Sequence, residues 1–478
     1  MVENRLKIGF SIFIATALLL PLQGLSLGAE SSGTSTDYQY GFQIGEENRD
    51  LYRDVIEQAP EIDAASTYGN SLARYYPSLL ERLRGLADSL DLEMDRLLEA
   101  RIYLAGVLGK SLGACTVVAA APPATDGGIY SAWTMDLYYL LKLLPIGGWF
   151  PLFTVTKPLK GYRYLTFGLP VLAGIGMLNE KGLSCVVNAV PVADGGDGLL
   201  HMDLINLAME SCSNAEGAAG VIRDNPRFSP GPEASELVSQ FLALNIQFVD
   251  AGGGIAAVEY THNYFAFGKG EGGVSAQTNI HQFLDPALTE CPTPKEMPAM
   301  TGTTMRLYRA WDLMRQNCGD IDLETIKSIM SDREFVPLPE DVDPYRYSED
   351  PRYQQSISRD GWETTLQIAI EDLKAGDINI IEFLMAVLMM GGTCWSVIIE
   401  PDDMMMHWCP GHPDLLPYIP IYCADLLDTG GARGTNPLTL YVRVTRLVGS
   451  LLNLPVVSTL AAVVHDLIVE ILKWIGTP

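Results

Sequence analysis

The chain has 478 residues, 48% hydrophobic and 19% charged, so it can bury a sizeable core as one large domain with extensions or as two or three domains. Its 58 acidic and 32 basic residues give a net charge of −26. That excludes a nucleic-acid partner, whose phosphates need clustered Lys and Arg, and argues against electrostatic docking on anionic lipid.

The chain opens "MVENRLKIGFSIFIATALLLPLQGLSLGAE". Arg5 and Lys7 precede an apolar run from Ile8 to Leu20, Pro21 ends it, and the small residues Ser26, Gly28 and Ala29 follow. That is the order of a secretory signal peptide, and the run is short for a spanning helix. Residues 1–29 are therefore expected to be a signal peptide or N-terminal anchor, and the protein to be exported. Residues 30–37 are polar. From 40 to 108 apolar residues recur at three- and four-residue spacing, which predicts helices. Asp91 reads as the N-cap of a helix carrying Met94, Leu97, Leu98, Ile102 and Leu104.

After Cys115 the texture changes to short strand-like runs with glycine turns, among them "CTVVAAAPP", "GGIYSAWTMDLYY" and "LAGIGMLNEKGLSCVVNAV". "GGG" at 252–254 reads as a turn between two strands. "HMDLINLAMESCSNAEGAAGVIRDN" reads as helical, 301–333 as two helices joined by "CGDID", and "CWSVIIEPDDMMMHWCPG" as two strands around a turn at Glu400–Asp403. Such a series predicts a layered α+β domain. Residues 334–360, rich in Pro and charge, read as a lid-like excursion. Two apolar segments stand out, 137–153 and 437–478. In the second, Asp466, Glu470 and Lys473 share one face, so it is amphipathic rather than spanning. Packing against the domain is its simplest role, and contact of both segments with a membrane surface is the alternative.

Several familiar motifs fail. "LAGVLGKS" has Leu104 where a phosphate loop needs its first glycine, and "GIGMLN" lacks the third glycine of a dinucleotide fingerprint. Eight cysteines, at 115, 185, 212, 291, 318, 394, 409 and 423, form no CxxC pair. The six histidines form no HExxH; only His407 and His412, five apart around a Pro-Gly turn, resemble a ligand pair. No GxSxG elbow occurs. No metal or organic cofactor is implied.

"KSLGACTVVAAAPP" is different. A thiol needs activation to act as a nucleophile. One way is to make the cysteine the first residue of a chain, so that its own α-amine, with a pKa of about 8, serves as the base. That requires a cut between Ala114 and Cys115. Small residues before the cysteine allow a tight backbone there, and the strand after it would hold the new terminus. A buried cysteine at a strand start is the alternative reading of the same residues.

Several segments match one family in order. "YGFQIGEENRD" and "LLERLRGLADSLDLEMDRLLEARIY" come first, then "GACT", "SAWTMD", "GMLNEKGLSCVVNAV", "QTNIHQF", "TTMRLYRAWDLM" and "TCWSVIIEPDDMMMHWCPGHP". From about Tyr40 to Pro417 the chain thereby resembles the isopenicillin-N acyltransferase family of N-terminal nucleophile proteins, and more distantly choloylglycine hydrolase and acid ceramidase. The resemblance implies an α+β fold, a four-layer αββα sandwich over 115–436. Residues 30–114 would be a helical pro-segment that stays bound as a small chain after autocleavage between Ala114 and Cys115. It implies Cys115 as nucleophile, Asp136 orienting its ammonium and thiol, Asn279 donating to the oxyanion, and Arg306 (or Arg309) as the family's arginine. Trp133 and Thr134 stand where the family usually carries Arg-Asn or Gln-Asn, so the pocket chemistry is altered. Trp133, Thr134 and Tyr138 are candidate substrate contacts. The expected substrate is a small-molecule linear amide, such as an N-acyl amino acid or peptide-like compound, or an acyl thioester, with the acyl group passed to water or an amine. The competing expectation is a membrane-associated binding protein that keeps the fold without the activity.

Overall fold

Apolar spacing between 37 and 111 gives five helices: α1 (Asp37–Glu47), α2 (Arg49–Glu57), α3 (Ala65–Tyr75), α4 (Pro77–Leu90) and α5 (Met94–Ser111). They belong to a computed structural model that describes residues 36–62, 65–111, 114–138, 153–192, 194–230, 243–289, 300–334, 357, 374, 391–409, 412–414 and 416–427. The expected leader at 1–29, nearly all of the 334–360 excursion, most of the apolar 137–153 segment and the 437–478 segment lie outside the described residues. Thr36 caps α1, its Oγ1 accepting from Gln39 N at 3.1 Å, and Pro77 sits in the first turn of α4, where its missing N–H costs nothing. Asp91 corrects the sequence reading. It ends α4 rather than starting α5, with a left-handed backbone at φ 55° and its N–H turned back to Ala87 and Asp88. Aspartate tolerates that conformation because its short polar side chain bonds locally. Helices α1 and α4 cross so closely that a Cβ on Gly41 would fall 1.8 Å from the Arg82 carbonyl oxygen.

Beside a short pair, Gly195–Gly196 with Ser229–Pro230, the described strands form two antiparallel sheets, so the chain is α+β. They are β1 (Ala114–Ala120), β2 (Tyr130–Tyr138), β3 (Phe153–Thr156), β4 (Tyr164–Leu169), β5 (Ala173–Asn179), β6 (Leu183–Val190), β7 (Ala243–Asp250), β8 (Ile255–Tyr260), β9 (Phe265–Lys269), β10 (Val274–Gln277), β11 (Gly391–Glu400), β12 (Met405–Cys409) and β13 (Ile419–Tyr422). The first sheet runs β10-β1-β2-β11-β12-β13 and the second β9-β8-β7-β6-β5-β4-β3. The "GGG" turn joins β7 to β8, and Asp250 Oδ1 accepts from both Gly252 N and Gly254 N. Further helices include α6 (His201–Ser211), α7 (Ala215–Asp224), α8 (Met300–Gln316) and α9 (Leu323–Met330). Helices α8 and α9 pack on β1, β2, β10 and β11, α6 and α7 on β5, β7 and β8, and β1 and β2 meet β6 and β7.

Strand alternation sorts the first sheet's side chains. Cys115, Val117, Trp133, Met135, Trp395 and Val397 join the core shared with the second sheet. Val118, Ala132 and Ile398 pack instead with Leu307, Ala310 and Ile326 of α8 and α9.

The leading helices are fastened to α6 by two buried ion pairs. Arg82 grips Glu210 through two bonds, 2.5 and 3.1 Å, and also reaches Asp37 at 2.8 Å. Arg101 pairs with Asp203, whose other oxygen accepts from Tyr68 at 2.6 Å. Breaking such a pair strands a buried carboxylate. Arg82→Met is therefore expected to destabilise the protein by about 3–5 kcal/mol, read as a shifted denaturant midpoint. An unchanged midpoint would mean that Glu210 does not need its partner.

Candidate active site

The first sheet places Cys115 one residue into β1, with Met135 of β2 beside it and Ala114 opposite Asp136. Its main chain is held from two distant segments. The amide N–H donates to Asn279 Oδ1 at 2.8 Å, and the carbonyl oxygen accepts from Arg306 Nη1. Arg306 Nη1 also donates to Thr116 Oγ1 at 2.9 Å, and Nη2 to Asn279 Oδ1 at 3.1 Å and Thr303 Oγ1 at 3.2 Å. Asn279 Nδ2 donates across the sheets to Ala189 O of β6 at 2.9 Å. Two donors at Oδ1 and a carbonyl at Nδ2 fix which way round the carboxamide lies. Cys115 and Arg306 are fully buried, and Asn279 and Asp136 very nearly so.

Asn279 sits just past the end of β10, and the loop around it is pinned. Asn245 Nδ2 of β7 donates to the carbonyls on either side of Asn279, those of Thr278 at 3.0 Å and Ile280 at 2.7 Å. The Glu259 carboxyl of β8 takes three successive N–H groups, from Gln282, Phe283 and Leu284, at 2.6, 2.8 and 3.0 Å. Burial pushes its pKa up to about 7 despite those donors. Asp136 Oδ1 accepts from Thr393 Oγ1 of β11 at 2.7 Å.

The thiol pKa is pushed up to about 12, first by burial and then by the Asp136 charge. The Trp133 indole, which lies outside hydrogen-bond geometry, together with the Arg306 cation and the Asp136 N–H, pulls it partly back. In the continuous chain Cys115 is therefore a protonated thiol at neutral pH. Its alkylation by iodoacetamide is expected to rise about tenfold per pH unit up to pH 10, since only the thiolate reacts. A rate that levels off near pH 8 would show an ordinary thiol.

Other predicted positions fall elsewhere. Trp133 and Thr134 are neighbours on a strand and so face opposite ways. Trp133 packs between the sheets against Trp395 and Phe167, at 4.6 and 6.0 Å between ring centres. Thr134 meets the Thr116 main chain, with 3.3 Å to its N–H. Tyr138 and Ala114 are placed in their strands, but their side chains lie outside the described residues. Arg309 pairs instead with Asp332 and Glu334. His407 meets Glu400 at 2.5 Å and His412 meets Asp414. Among the described residues no cluster of His, Cys, Asp or Glu is arranged to hold a metal ion, and no helix is long and apolar enough to cross a membrane. Asn245, Glu259, Thr303 and Thr393 were missed from sequence. Two carried a signal: Asn245 alternates with Gln247 in β7, and Glu259 is the one charged residue of the apolar strand Ile255–Tyr260.

No family model matches the chain, and no curated protein does. Among solved structures it is similar to penicillin V acylase from Agrobacterium tumefaciens, at 15% identity over 66% of this chain and 89% of that one, with a TM-score of 0.33. It is also similar to a mutant conjugated bile acid hydrolase from Clostridium perfringens, at 14% identity over 63% and 92% of the two chains, with a TM-score of 0.32. A second variant of that hydrolase gives 12% identity over 65% and 85%, with a TM-score of 0.25. At these scores the functional reading rests on the site itself.

Proposed function

We propose that the chain is a self-processing amidohydrolase or acyltransferase on a four-layer αββα sandwich, with Cys115 as its nucleophile. The observation that carries this reading is the grip on Cys115: its own N–H and C=O are held by Asn279 and Arg306, from 164 and 191 residues away. A merely structural cysteine has no need of two remote polar side chains on its main-chain atoms.

In the processing step the Cys115 sulfur attacks the Ala114 carbonyl carbon. The C–N bond breaks as the C–S bond forms, and the thiol proton passes to the departing nitrogen. That shift frees the Cys115 amine, and water then hydrolyses the thioester, leaving a carboxylate on Ala114 and returning the Cys115 thiol. With its amide N–H turned into an amine beside Asn279, the residue gains a base of its own, with an ordinary pKa of about 8. In turnover the thiol proton moves to that amine, the sulfur attacks a substrate amide or thioester, and Asn279 Nδ2 stabilises the oxyanion. Asp136 orients the ammonium, and Arg306 holds Asn279 and the strand. Trp133, Thr134 and Tyr138 belong to the altered surroundings of the pocket. Residues 30–114 remain as a bound small chain through Arg82–Glu210 and Arg101–Asp203. Residues 1–29 direct export, and 137–153 and 437–478 are the candidate membrane-surface contacts.

The fully buried thiol also favours a second reading, a membrane-associated binding protein whose Cys115 never reacts. Intact mass and N-terminal sequencing of the purified protein separate the two. Two chains, the larger beginning Cys115-Thr116-Val117, support the enzyme. One uncut chain after long incubation removes the amine base and leaves the binding protein.

A further inference from the structure

Behind Cys115, between the sheets, lies a seam of buried neutral polar side chains. On the first sheet it is lined by Gln277 of β10 and Ser131 of β2. On the second it is lined by Asn188 of β6, which faces Asn245 of β7, and by Gln247. All five are fully buried. No described group hydrogen-bonds either polar atom of Gln277 or of Asn188, nor Asn245 Oδ1, Gln247 Oε1 or Ser131 Oγ. The nitrogen ends of two of these amides are anchored. Asn245 Nδ2 is on the Asn279 loop, and Gln247 Nε2 is on Ser275 Oγ at 3.0 Å, which turns both carbonyl ends the other way. So many bare amide and hydroxyl atoms are not tolerated in a native interior. The set offers donors and acceptors in the mixture that ordered water takes, two to four partners for each molecule.

We infer that this seam holds a file of ordered water, and that Gln277 uses it to position the water that hydrolyses the acyl-enzyme. Gln277 pairs with Val117, two residues along β1 from Cys115 and on the same face, a step of about 7 Å. Gln277 therefore lies diagonally across from Cys115 on the same face of the sheet, and the file runs from it toward the sulfur. This second half rests on the function proposed above. The water oxygen bonds to the acyl carbon, the C–S bond breaks, and the water's proton passes to the Cys115 amine and on to the departing thiolate. The Gln277 carboxamide holds the water in line and does not itself react.

The test is the partition of the acyl-enzyme between water and added hydroxylamine, in Gln277→Met, which keeps length but removes both polar atoms, and in Ser131→Ala. The ratio of hydroxamate to free acid is expected to rise about three- to tenfold in Gln277→Met, the loss of one neutral hydrogen bond, and less in Ser131→Ala. General damage to the enzyme lowers both products together and leaves the ratio alone, so an unchanged ratio overturns the role of Gln277. The seam is tested apart from activity by a high-resolution crystal structure of the uncut Cys115→Ala chain. Waters bonded to Gln277 and Asn188 support it; a dry seam, or one filled by an organic molecule, overturns it. If the wild type proves uncut, the enzyme reading fails, and those waters still decide whether the seam exists.

Discussion

Cys115→Ala is expected to purify as one uncut chain and to lose about 10⁴-fold or more of any amide turnover, the scale seen when a covalent nucleophile is removed. The substitution deletes one sulfur from a buried site and keeps the strand, so the fold should survive. The informative controls are Cys185→Ala and Cys423→Ala. Both cysteines are fully buried, and burial pushes both thiols up, that of Cys423 to about 12. By burial alone the three cysteines are alike. Only Cys115 has its amide N–H held by Asn279 and its carbonyl by Arg306, so only its loss should stop the cut. Intact mass reads the outcome directly. A cut Cys115→Ala chain, or an uncut Cys185→Ala chain, would detach processing from the geometry.

Arg306→Met carries the second large effect. Cys115 O, Thr116 Oγ1, Asn279 Oδ1 and Thr303 Oγ1 all lose the same charged donor. Hydrogen bonds to a charged group contribute roughly 1.5–3 kcal/mol each, so losing even two that act on the scissile region should slow processing by at least about 100-fold. Arg306→Lys should restore little, because a single ammonium cannot span oxygens that a planar guanidinium reaches from two nitrogens. Arg309→Met is the contrast. Its partners are Asp332 and Glu334, and processing should run at the wild-type rate. Time courses of chain cutting after refolding would check all three. Equal slowing in Arg306→Met and Arg309→Met would mean that α8 matters only as a packed helix.

Much of the fold was legible because period and turn chemistry are local. The leading helices, the strand after Cys115, the Gly252–Gly254 turn and the closing hairpin from Gly391 to Cys409 each carry their signal within one short stretch of chain. Asp91 was misread because an aspartate between two helices serves equally as the cap of either, and only the backbone angle decides. The choice between Arg306 and Arg309 needed the helix's orientation, since both sit on one helix a turn apart. Trp133 and Thr134 are both candidate substrate contacts by position, but strand geometry turns neighbours to opposite sides, and only Trp133 enters the core between the sheets. The pairing of Arg82 with Glu210 and the seam at Asn188 and Gln277 depend on which segments meet across more than eighty residues, and no local pattern encodes that.

The distances along the chain that separate the partners at Cys115 also set an order of events during synthesis. Arg306 lies 191 residues downstream of Cys115. At roughly 5–20 residues per second, a ribosome needs about 10–40 s to reach it after Cys115 is made. Asp203 and Glu210 are translated sooner, so the leading helices can dock on α6 while the Cys115 strand still lacks its arginine. On the proposed self-cleavage, the bond before Cys115 would stay outside its assembled surroundings until most of the domain has emerged, which would keep a nascent chain whole until its two parts are fastened together.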